Sequence, residues 1–143
     1  EINIESIQSL KNLENNSYSV FPLIETQGLL ITDNDSKGIY IRSYESEDIK
    51  NKKFLKDNIV KGKIYSENTN EIIIGYALAK RFNLRIEDQV KIAIPKSDKT
   101  IFGNIPRFKT LVISGIFNIG MYEYDSNFIF LDPSITRKLL LLR

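Results

Sequence analysis

The chain has no cysteine and no histidine among its 143 residues. Thiolate nucleophiles, imidazole bases and the common zinc sites are therefore excluded, and any chemistry falls to carboxylates, lysine, tyrosine, serine and threonine. A chain without cysteine needs no disulfide and has no thiol to misoxidise, which suits an oxidising compartment without proving one. No stretch has the character of a signal peptide, and no apolar run approaches the ~20 residues that span a bilayer. A surplus of one charge is also missing. The 20 basic and 18 acidic side chains give a formal net charge of +2 and form no long run, so charge gives no reason to invoke nucleic acid.

What is present is an ordinary globular composition, 42% hydrophobic and 27% charged, long enough to bury a real core as one domain or as two small subdomains sharing a hinge. The chain starts at Glu1 and stops in Leu139–Leu142 and Arg143, and reads as a fragment of a longer protein.

Apolar residues at Ile4, Ile7, Leu10 and Leu13 have helical spacing, ended by Asn15, Asn16 and Ser17. Tyr18 to Ile24 is β-rich. Gln27 to Ile31 and Ile39 to Arg42 flank an Asp/Asn/Gly turn, the pattern of a hairpin. Glu45 to Asn70 is polar and predicts a short helix and loops. Glu71 to Ile74 reads as a buried strand that Gly75 turns into a helix, with Gly75, Leu78, Ala79 and Phe82 on one face. Asn83 fits a left-handed cap. Gln89 to Ile94 alternates as a half-buried strand that Pro95 ends. Arg107 to Phe117 forms a long strand with apolar residues on both faces, Phe108 among them. A last strand, Ser126 to Leu131, leads through Asp132, Pro133 and Ser134 into a final helix, with Asp132 or Ser134 as cap.

The connection from Pro95 to Pro106 is the most informative segment. Hairpin loops usually take about two to five residues, so a longer one bounded by prolines asks for an explanation. Ile101, Phe102 and Ile105 are bulky apolar residues that a solvated loop has no reason to carry. Either they fold back onto the core or they are offered to a partner, the prolines then limiting the entropy lost on binding. Lys91, Lys96, Lys99, Arg107 and Lys109 surround the loop, with Asp98 its one acid. Each is a solvated surface charge or part of a patch that attracts an acidic partner.

Gly120 to Asp125 places Glu123 and Asp125 among tyrosines, but the ligand count is too low for calcium and the segment reads as a structural turn. No spacing sets a carboxylate pair such as Glu25 and Asp88 across a cleft. No phosphate loop, nucleophile elbow or dinucleotide turn occurs. The residues give an enzyme no positive support, and no metal or cofactor is expected.

The order of motifs resembles the periplasmic region of LolC/LolE-type permeases of lipoprotein-releasing ABC transporters, with a hybrid LolF-like form also open. Ile73–Ala79 followed by Leu84–Val90 is similar to a family stretch, with Asn83 and Glu87 in place of its two usual glycines. Gly103–Arg107, Val112–Phe117 and Gly120–Asp125 follow in family order, and the match covers about residues 18 to 142. MacB-like and FtsX-like relatives should lack this combination.

The resemblance implies a mixed α/β (α+β) MacB-like periplasmic domain with a mixed sheet, short helices and a hairpin-like hook. Residues 1–45 would belong to a porter-like subdomain built from both ends of the insertion, and residues 46–143 to a sabre-like middle subdomain. The full protein would sit in the inner membrane with this region on the periplasmic face. It would act with a second permease copy or partner and a cytoplasmic ATPase subunit to pass lipoproteins to a LolA-like carrier. By position the hook is Pro95, Thr100, Ile101, Phe102, Gly103, Asn104, Ile105 and Pro106, and a basic pad is Lys91, Arg107 and Lys109. The family's usual Pro-Met-Gly reads Ile101–Phe102–Gly103, and the loop is about one residue short. A LolE-like module that braces the complex and contacts lipoproteins without binding the carrier stays open, as does a MacB/FtsX-like periplasmic interaction domain.

Overall fold

β-branched and alternating runs dominate the chain, and in the computed structural model they pair into one mixed sheet. Residues 24–33, 35–94 and 107–141 are described. Among them the strands are β1 (Ile24–Ile31), β2 (Ser36–Ser43), β3 (Ile59–Gly62), β4 (Glu71–Gly75), β5 (Gln89–Ile94), β6 (Arg107–Phe117) and β7 (Phe128–Leu131). The helices are short: α1 (Ser46–Ile49), α2 (Lys53–Lys56), α3 (Tyr76–Phe82), α4 (Tyr122–Asp125) and α5 (Pro133–Leu141).

The sheet order is β3-β6-β4-β7-β2-β1-β5, and β5 also pairs with β6. The pairings from β6 through β4, β7, β2, β1 and β5 therefore return to β6 as a closed round, with β3 attached to β6 outside it. Closure leaves few open backbone edges. The β2–β7 and β4–β6 pairs are parallel and the others antiparallel, which makes the fold the mixed α+β class expected.

Inside the round lies an aliphatic core, with Leu30, Ile41, Ile74, Ile92, Ile113 and Ile129 all fully buried. Helix α3 adds Leu78 and Ala79 to it, and α5 adds Ile135 and Leu139. The opposite face of β2, β4 and β7 is covered by an aromatic layer that includes Tyr44, Tyr65, Phe117, Tyr124, Phe128 and Phe130. Phe117 meets Phe130 edge-on at 5.5 Å, and Tyr40 stacks on Phe128 at 5.4 Å. Each such side chain contributes about 2–3 kcal/mol by leaving water.

Local signals hold at several ends. Asn83 is left-handed at φ 55 and ψ 48, and the bonds Asn83 N–H to Lys80 O (3.2 Å) and Leu84 N–H to Ala79 O (2.8 Å) close α3. The Asp132 carboxylate accepts the Ser134 N–H at 3.0 Å and caps α5, with Pro133 in the first turn. β5 and β6 match their predicted extents; the hairpin forms, but its strands run from Ile24 to Ile31 and from Ser36 to Ser43, so Ser36, Lys37 and Gly38 of the predicted turn belong to β2. The polar stretch from Glu45 to Asn70 differs, since besides the one-turn helices α1 and α2 it contains the strand β3. β7 starts at Phe128, because Ser126 and Asn127 still close the α4 turn through bonds to Tyr122 O and Tyr124 O. The β1–β2 hairpin lies between β7 and β5 in the sheet. The predicted first helix and most of the Tyr18 to Ile24 run lie outside the described residues.

Candidate functional site

The site begins with the β5–β6 ladder, whose register runs from Gln89 opposite Val112 to Ile94 opposite Arg107. Pro95, Thr100, Ile101, Phe102, Gly103, Asn104, Ile105 and Pro106 lie outside the described residues. The ladder fixes where they are joined, at the backbone pair Ile94 and Arg107.

Alternation sorts the flanking side chains. Val90, Ile92 and Ile94 are buried while Gln89 and Lys91 are exposed. Residues opposite each other in a ladder share a face, and neighbours along a strand do not. Lys91 is opposite Thr110, and Lys109 is opposite the buried Ile92. Lys91 and Lys109 therefore stand on opposite faces. Lys109 lines a groove of about 460 Å³ together with Asn70, Ser134 and Lys138. Lys91 lines another of about 530 Å³ with Asp33, Phe82 and Asp88. For Arg107 the ladder gives a backbone position at the hairpin root.

On the outer face Lys91 Nζ lies 5.2 Å from the centre of the Phe108 ring, and Phe108 is 55% exposed. Such a cation over a ring contributes about 0.5–1 kcal/mol at an exposed site and leaves the rest of the ring to water. Sequence reasoning placed Phe108 among the apolar residues of β6 without telling it from the core. The Phe108, Thr110, Val112 alternation carried the signal, but Lys109 interrupts the inward row of Leu111 and Ile113 and blurs it.

The other candidates have structural duties. Asp125 accepts the Ile119 N–H at 2.8 Å and the Gly120 N–H at 3.0 Å. Burial pushes its carboxyl above the ordinary aspartate value, and backbone N–H groups partly oppose that rise. Glu25 pairs with the fully buried Arg42 at 2.6 Å, and Asp88 accepts the Arg85 N–H at 2.8 Å. Among the described residues no three acidic side chains gather as a metal site would need. No described helix is long and apolar enough to cross a membrane.

No protein-family model matches the chain, and a search of the curated proteins finds no match. A solved structure does share the fold, the extracellular domain of the noncanonic ABC-type transporter YknZ from Gram-positive bacteria. It is 10% identical with a TM-score of 0.59, and the match covers 91% of this chain and 65% of that one. The chain thus spans less than two thirds of that domain.

Proposed function

We propose that the chain is an extracytoplasmic module of an ABC transporter permease, and that its permease releases lipoproteins to a LolA-like carrier docked at residues 95–106. The observation that carries the reading is the fold shared with the extracellular domain of an ABC-type transporter. The finer part rests on the motif order and on the antiparallel β5–β6 root, which carries an exposed aromatic and a lysine beside the loop. In this reading the chain catalyses nothing and needs no cofactor. ATP is hydrolysed by a cytoplasmic subunit, and a second permease copy completes the complex.

The test is capture of a purified LolA-like carrier by this chain. The expected result is retention that disappears when Phe102→Asp is combined with Ile105→Asp. Absence of retention, or retention that survives the double change, overturns carrier docking.

One observation favours a second reading. With Lys91 and Lys109 on opposite faces, these two lysines do not make one basic surface, which suits a LolE-like module that braces the permease pair and lines the lipoprotein route. Photo-crosslinking from position 102 to a lipoprotein or sister subunit, and not to the carrier, selects that reading.

A further inference from the structure

Among the described strands β3 pairs with β6 alone, through Ile59 with Phe117, Lys61 with Ile116 and Gly62 with Gly115. No described strand covers its other edge. Val60, the extra residue of a bulge, is 51% exposed, and Lys61, Gly62 and Lys63 are exposed as well. Between the β3–β6 pair and α3 lies a groove of about 250 Å³, lined by Lys61, Tyr76, Lys80, Asn83, Arg85 and Ile116.

Three cations from three elements converge on this groove, and no carboxylate lines it. Among the described residues none of Lys61, Lys80 and Arg85 takes part in an ion pair. The nearby Asp88 carboxylate is engaged by the main-chain N–H of Arg85. Lysines along a free edge commonly guard it against strand pairing with another chain, which accounts for Lys61 and Lys63. It leaves Lys80 and Arg85 unexplained, since they stand on α3 and the turn after it. Like charges gathered without a partner raise the energy of the fold until an anion joins them.

We propose that β3 and this groove take an extended acidic segment of a partner protein as an added strand. Its main chain pairs with the open edge of β3, and carboxylates at alternate positions reach Lys61, Lys80 and Arg85. Val60 supplies apolar contact. A second copy of β3 is a poor occupant, because it would set lysines opposite lysines. The proposal uses no residue of 95–106 and stands whether or not that segment binds a carrier.

The probe is a fluorescein-labelled peptide of about ten residues alternating glutamate with valine, followed by fluorescence anisotropy with the full chain. Binding saturates, weakens as salt rises, and falls about tenfold or more for Lys80→Glu with Arg85→Glu. Hydrogen exchange shows new protection at Lys61 and Gly62 when the peptide is bound, a readout that needs no variant to fold. Three results each overturn the proposal: no binding, an affinity indifferent to the double charge reversal, or charge-dependent binding without new protection on β3. The last describes an anion groove only, and inorganic phosphate then competes with the peptide.

Discussion

Gly75 and Asp125 meet backbone to backbone: a Cβ at Gly75 would lie 2.0 Å from the Asp125 carbonyl oxygen. This contact seats α4 against the end of β4. Main-chain atoms cannot swing aside as a side-chain tip can, so Gly75→Ala forces one element to move. The expected cost is about 3 kcal/mol, read as a lower urea midpoint at unchanged m value. Gly38→Ala is the matched control, because nothing lies within 4 Å of its added methyl, and it does not lower the midpoint.

Asn83 and Glu87 both hold positive φ, 55° and 75°. Glu87 is the third residue of a turn closed by Asp88 N–H to Arg85 O at 3.1 Å, a place that favours glycine. Glu87→Gly keeps the N–H bond to Ile113 O and removes the strain, so it stabilises the fold by about 0.5–1 kcal/mol. Asn83→Gly gains less, since asparagine tolerates this conformation. Thermal unfolding of the two variants orders them, and equal or reversed gains contradict the strain argument.

The pH response of Asp125 follows from its raised carboxyl. The folded state holds this proton more tightly than the unfolded chain does. Its contribution to stability is thus fully present below the ordinary value of 3.8 and is lost as pH rises through the higher folded value. Asp125→Asn removes that slope. At neutral pH the same change costs about 1–2 kcal/mol, because one amide oxygen cannot replace two carboxylate oxygens on the Ile119 and Gly120 N–H groups. Urea titrations of both proteins across the acid range test the two statements together.

Phe108 and Ile92 separate docking from folding within one ladder. Phe108→Ala changes stability by less than about 0.5 kcal/mol, as an exposed ring should, and on the proposed docking it lowers carrier capture. Ile92→Ala removes a fully buried side chain and costs about 2–5 kcal/mol. Equal losses of stability would show that the outer face of the ladder is covered.

Legibility in the sequence tracks how local each cause is. β5 and β6 could be read to their ends because Pro95 stops one and the β-rich run from Arg107 to Phe117 defines the other. Asn83 and Asp132 declared their caps by residue type. β3 could not be read, since Ile59 and Val60 are its only apolar residues in a lysine-rich stretch, and it is a strand through its pairing with β6. Nor did any local pattern foretell that β5 pairs with both β1 and β6, or that Arg42 is wholly buried against Glu25 and the Phe128 ring. Those depend on partners distant in sequence. Of the candidate site, the root of the loop was legible from alternation. The division of Lys91 and Lys109 between two faces needed the register.

The strand β6 has a mechanical meaning. It runs for 11 residues with one bulge against β4, at Ser114, at most roughly 33 Å end to end at 3.3 Å per step, from Arg107 to Phe117 beside Gly75 and Ile59. A pull applied where residues 95–106 join the sheet acts along this one strand, and its hydrogen bonds to β5, β4 and β3 resist together in shear instead of peeling singly.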